Sequence, residues 1–226
     1  MVEKKASIIT ILVKKYNLKR HIEYKADRVV LYNAFSTINN SIFAIIKLII
    51  GVVFLSLWFL IFGGYYLALL AVRIYFLRCY MQVRTSDLDL NQRQKVETHY
   101  LYEGGLLFSG LGVILISLSG YMYFYGHNQH YNKVVVLLIA LIGFTKIISS
   151  IIGWFKAHRF RSPIILFLKA VSIADGLVAI VITQYALLSY QHASSATSST
   201  GLFGIGIGFV LVIIGILITI RSRHII

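Results

Sequence analysis

The chain has 226 residues, of which 58% are apolar and 13% charged, and its formal net charge is +14 at pH 7. A soluble domain is about 45–50% apolar and about 25% charged, so a soluble fold of this length is excluded by the apolar surface it would leave in water, whereas a bilayer accepts that surface. The positive balance does not indicate nucleic acid either: Lys and Arg lie between apolar runs, and the aromatic residues sit at the ends of those runs instead of among the basic ones. A single cysteine, Cys79, rules out an intramolecular disulfide.

Residues 1–40 form a basic segment expected on the cytoplasmic side. Within it, Ile8, Ile9, Ile11, Leu12 and Val13 are flanked by lysines and suit a short interfacial helix. That run is too short and lacks the small-residue cleavage site of a signal peptide. A membrane-spanning helix needs about 20 mainly apolar residues. Six runs qualify, at 41–60, 63–80, 104–125, 134–154, 163–190 and 201–220. The expected fold is therefore all-α, a polytopic bundle of six transmembrane helices over 41–220, followed by a short cytoplasmic tail at 221–226. The first two runs are nearly continuous. Phe62-Gly63-Gly64 is the expected tight turn between them, because glycine permits the backbone angles a turn needs. The alternative is one long bent helix, which lowers the count to five.

The basic residues set the orientation. They crowd segments 1–40, 78–95, 156–161 and 221–223, while the turn after the first span and segment 189–201 carry none, and the connection after the third span carries Lys133 alone. This alternation places both termini in the cytoplasm of a cell-membrane protein. Aromatic residues agree: Trp58, Phe59, Tyr65 and Tyr66 mark the outer end of the first hairpin, and Tyr121, Tyr123, Phe124 and Tyr125 that of the third span.

Charges inside spans are the sharpest functional clue in a membrane sequence. Here they are Lys47, Arg73, Lys146, Lys169 and Asp175. At about 1.5 Å per residue, Lys47 and Arg73 lie roughly 8–9 Å into the cytoplasmic half, Lys169 roughly 12 Å, Lys146 roughly 15 Å and Asp175 roughly 21 Å. Lys47, Arg73 and Lys169 can snorkel, with their stems along the helix and their heads at the interface. Lys146 does so less easily, and the short side chain of Asp175 cannot. A carboxylate that deep has to be paired, hydrated or protonated. Lys146, on the neighbouring antiparallel span, is the expected partner, with Lys169 the alternative. Structural and functional pairing predict the same contact. The excess of cations suits an anionic lipid or a small anion better than a cation.

Other polar features read more plainly. Gly204 and Gly208, and Ser149 with Gly153, are small-residue pairs expected to pack helices. His127 and His130 lie in an outer loop without a nearby Cys or carboxylate, so no metal site is expected there. Glu97, His99 and Glu103 fall before the third span in a stretch expected to be a solvated loop. No nucleophile, paired acid and base, phosphate loop or zinc helix is present as a motif, so no cofactor and no catalytic set is expected.

The stretch FTKIISSIIGWFKAHRFRSPIILFLKAVSIADGLVAIVITQYALL resembles a family of uncharacterised six-span membrane proteins of low-GC Gram-positive bacteria. Its carriers are Lys146, Ser162, Pro163, Lys169, Ala170 and Gln184, and GGYYLALLAVRIYFLR resembles that family's second span. The resemblance covers residues 40–190 and implies no activity. A fainter likeness joins SIFAIIKLIIGVV to the first span of cation diffusion facilitators. Those transporters bind zinc-type ions through acidic or His pairs four apart in spans two and five. This chain has Arg73 in the second span, and Val171 and Ala179 stand four residues either side of Asp175. The likeness therefore implies lost metal chemistry. Two functional readings follow: a transporter-like protein for a small anionic solute or lipid headgroup, or a non-transporting membrane protein that binds or stabilises a partner.

Overall fold

The computed structural model describes residues 57–86, 89–127, 131–157 and 162–223, and these form five helices: α1 (Leu57–Thr85), α2 (Leu90–Tyr125), α3 (Lys133–Ala157), α4 (Pro163–Tyr190) and α5 (Ala196–Arg223). Each is long and apolar enough to cross a membrane. The expected first span at 41–60 lies outside the described residues apart from its last four, as do Lys47 and the N-terminal segment.

The expected turn at Phe62-Gly63-Gly64 is not there. Helix α1 runs straight through these residues, so the end of the first expected span and all of the second share one helix. The physical reason is the cost of the alternative. Two glycines in a helix cost about 1 kcal/mol each relative to alanine, whereas backbone groups opened in an apolar medium cost several kcal/mol each. Phe62, Tyr65, Tyr66 and Leu69 are all buried, and their spacing of three and four keeps one helical face continuous across the glycines.

Helix α2 also departs from expectation, starting at Leu90 and not Gly104. The polar stretch before Gly104 is rich in Gln, Arg, Lys and Glu, which are good helix formers. An Arg93–Glu97 ion pair at 3.0 Å and a His99–Glu103 contact at 3.4 Å, each one turn apart, follow its helical path. The Arg93 N–H closes the first turn on the Asp89 carbonyl at 2.8 Å. Helix α4 has the expected bounds: Ser162 takes the cap position and Pro163 the first turn, where its missing N–H costs nothing. It ends in a turn through His192, which holds a left-handed φ of 55°. Helix α5 begins at Ala196, so part of the Ser/Thr-rich connection is helical.

Helix α4 is the centre of the bundle. Its most apolar window is 67% buried against 11% for α3, which therefore presents most of its surface outward. Helices α2 and α5 make the closest pair. On α2, Gly105, Gly112 and Ser119 recur every seven residues, with Gly126 next in step just past the helix end, and on α5 Gly201, Gly208 and Gly215 do the same. The two series meet antiparallel, Gly105 opposite Gly215, Gly112 opposite Gly208 and Ser119 opposite Gly201. Small residues let two backbones approach, and a seven-residue repeat keeps the seam turned toward its partner. Gly204 and Gly208 thus pack helices, as their spacing suggested. Gly153 instead faces the Lys169 side chain, while Ser149 is exposed and bonds to the Lys146 carbonyl in its own helix.

The antiparallel order brings the end of α1, the start of α2, the end of α3, the start of α4 and the end of α5 to one end. Arg78, Arg93, Lys95, Arg221 and Arg223 lie toward that end. A reporter fused after Arg223 should therefore report cytoplasm and one inserted at Ser195 the outside. The reverse pattern in an accessibility assay refutes this orientation.

Candidate functional site: a buried ion cluster

Asp175 sits on the central helix with 5% of its surface exposed. Its Oδ1 accepts a hydrogen bond from Lys146 Nζ of α3 at 2.7 Å. Its Oδ2 faces Arg73 Nη2 of α1 at 3.7 Å. Three helices therefore meet at one carboxylate. The approach of α3 is possible because Gly176 follows Asp175: a Cβ there would stand 3.0 Å from the Ile147 Cα. Lys146 Nζ also lies 4.7 Å from the centroid of the Tyr66 ring, an attraction that strengthens when water is excluded.

Arg73 is 4% exposed, so it is buried and does not snorkel. The same Nη2 donates to Ser172 Oγ at 3.3 Å. That hydroxyl donates in turn to the Leu168 carbonyl at 3.0 Å, and the Ser172 carbonyl accepts from Ser150 Oγ at 2.8 Å. Lys169, half-buried on α4, runs its stem along Gly153, where an added Cβ would stand 3.6 Å from Nζ. The structure thus brings together Arg73, Lys146 and Asp175, while Lys169 lies on the same helix as Asp175 with its side chain along Gly153. Lys47 lies outside the described residues.

Comparison of the chain with known protein families and with curated proteins finds no match. The cluster is accordingly interpreted from its own geometry.

Several residues differ from their sequence reading. Tyr65 and Tyr66 were expected in an outer aromatic belt, but both are buried, and Tyr66 covers Lys146. Their place follows from the continuous α1, which turns them inward on the Phe62–Leu69 face. Ser172 had no sequence signal beyond lying one turn from Asp175. Glu97 was expected in a solvated loop, but it is 4% exposed on α2. Arg93 Nε pairs with it at 3.0 Å, and Ser162 Oγ donates to its other oxygen at 2.6 Å. A buried carboxylate with two partners ties the start of α2 to the cap of α4. Glu103 accepts a bond from the Tyr75 hydroxyl at 2.7 Å and so joins α2 to α1. At the opposite end, the Tyr185 hydroxyl donates to the His127 carbonyl at 3.1 Å, so His127 contributes its backbone there. His130 lies outside the described residues. Among the described residues, no group of three His, Cys, Asp or Glu side chains is arranged to hold a metal.

Proposed function

We propose that this chain is a transporter-like protein of the cell membrane that binds a small anionic group, carried by a solute or a lipid headgroup, at Arg73, Lys146, Lys169 and Asp175. One observation carries the reading: two cations, Arg73 and Lys146, share a single buried carboxylate. Unbalanced positive charge in an apolar bundle is costly, and an oxyanion offsets it where a metal cation would add to it. Arg and Lys at close range suit a carboxylate or phosphate.

The test is thermal unfolding of the purified protein in phosphatidylcholine nanodiscs. Phosphate and a monocarboxylate should raise the melting temperature saturably, while chloride at equal ionic strength should not. A ligand at 100 times its Kd stabilises by about 2.7 kcal/mol, which for a chain of this size is roughly 5–10 °C. The absence of any oxyanion-specific shift sinks the reading.

The second reading, a non-transporting protein that holds a partner, is favoured by α3. That helix exposes Val134, Leu137, Leu141, Phe144 and Ile148 and packs mainly on α4. In that case oxyanions leave the melting temperature unchanged, and the protein co-purifies with a partner that is released by polar substitutions on α3.

A further inference from the structure

We infer that an exposed strip of α1 is a docking site for one anionic phospholipid, with the lipid phosphate on Arg78 and Gln82 and an acyl chain along Ile74, Leu77 and Met81. The site is separate from the buried ion cluster and does not depend on the function proposed there.

A shallow groove of about 380 Å³ is lined by Ile74, Leu77, Arg78, Met81 and Gln82. Their steps of three, one, three and one place all five on a single face of α1. Ile74 and Met81 are exposed, and Leu77 is half-buried. Leu67, seven residues before Ile74, is exposed as well, so the apolar strip continues away from the basic end. From Leu67 to Met81 it runs roughly 21 Å at about 1.5 Å per residue. One leaflet contributes about 15 Å, half of the hydrocarbon core. An extended acyl chain therefore meets apolar side chains along its whole length.

The polar end of the groove selects the headgroup. Apolar side chains accept any acyl chain and discriminate nothing. Arg78 and Gln82 stand one turn apart, both exposed, near the end of an apolar stretch that closes at Val83. No ion pair among the described residues includes Arg78. An exposed guanidinium at the edge of the hydrocarbon is stabilised by reaching headgroup level. There its parallel N–H donors fit two oxygens of one phosphate. The Gln82 amide adds a donor one turn further toward the basic end. A zwitterionic headgroup brings an ammonium of its own, which competes with Arg78 for the phosphate. An anionic headgroup brings no such competitor, and Arg221 and Arg223, exposed at the same end, favour anionic lipid nearby.

The experiment is native mass spectrometry of the full chain with phosphatidylglycerol or phosphatidylcholine of matched acyl chains. The parent protein should retain phosphatidylglycerol about fivefold better, the effect of one basic residue at an anionic surface. Arg78→Gln should remove that preference, and Arg78→Lys should keep part of it. Gln82→Leu should lower it by less. Ile74→Trp combined with Met81→Trp fills the groove and should lower retention of both lipids. Arg223→Gln should leave the preference unchanged. Arg78 is exposed, so Arg78→Gln should melt with the parent protein; if it does not fold, Arg78→Lys and Gln82→Leu carry the comparison. Equal losses in Arg78→Gln and Arg223→Gln overturn the inference, because diffuse charge and not a site then attracts the lipid. Displacement of phosphatidylglycerol by soluble glycerol phosphate also overturns it, since the acyl chain then contributes nothing. A lipid-free dimer that the groove-filling variant dissociates would assign the strip to a second copy of the chain instead.

Discussion

Asp175→Leu should lower the stability of the detergent-solubilised protein by about 3–5 kcal/mol, the cost of breaking a buried ion pair from one side. At this chain length the melting temperature would fall by roughly 10 °C. The size of the effect comes from what is left behind. Lys146 loses its 2.7 Å acceptor, and Arg73 loses the only carboxylate within 4 Å of it among the described residues. Two cations then remain in an apolar bundle without that carboxylate. Lys146→Met should cost less, because Asp175 keeps Arg73 and only one interaction is lost. The double variant should recover part of the loss but not all of it, since Arg73 stays stranded; contacting residues of this kind do not add. The ordering is the test, read by thermal denaturation of the three variants side by side. Asp175→Leu that melts at or above the parent protein, or Lys146→Met that costs more than Asp175→Leu, contradicts the shared-carboxylate geometry.

The Lys146–Asp175 contact was legible from depth together with span adjacency, although Lys169 stayed open as an alternative. Asp175 lies too far from either surface to snorkel, and Lys146 is the deepest of the span cations and lies on the neighbouring antiparallel span. Arg73 was less legible, although the signal was present. Phe62, Tyr66, Leu69, Arg73, Phe76 and Tyr80 follow one another at alternating steps of four and three, and all are buried. That spacing puts Arg73 on the inward stripe of α1, where snorkelling toward lipid is not an option. Depth without helical face left its role open.

Turn propensity misled at Gly63 and Gly64. A glycine pair marks turns in water because freed backbone groups are solvated there, and that compensation is missing inside an apolar bundle. Composition misled at Glu97 for a related reason. The run from Leu90 to Glu103 is polar enough to be read as a loop, yet its charges pair one turn apart, and Ser162 reaches Glu97 from a different helix. No local pattern announces a partner so distant in sequence. The bounds of α4, by contrast, come from features that act locally: a Ser-Pro start and a continuous apolar run.

Gly112→Ala should destabilise the protein through one methyl group. A Cβ at this position would stand 2.7 Å from the Val212 backbone nitrogen and 2.8 Å from the Gly208 carbonyl oxygen. Both are backbone atoms of α5, so no side-chain rotamer relieves the contact, and the helices have to separate. Overpacking of this sort costs about 1–3 kcal/mol, and Gly112→Leu should exceed that range. The seven-residue repeat spreads the effect. Gly105, Ser119, Gly208 and Gly215 lie on the same seam, so parting the helices at Gly112 loosens close contacts on either side. Gly206→Ala is the matched control on α5. Nothing lies within 4 Å of its added methyl, and alanine gains up to about 1 kcal/mol of helix propensity over glycine. The two substitutions are chemically identical and should move the melting temperature in opposite directions. Equal effects would mean that glycine's conformational freedom, and not the close approach of α2 and α5, sets the need for small residues. A greater loss at Gly206 would place a tight contact on the face of α5 that is now exposed, and would relocate the interface that holds these two helices together.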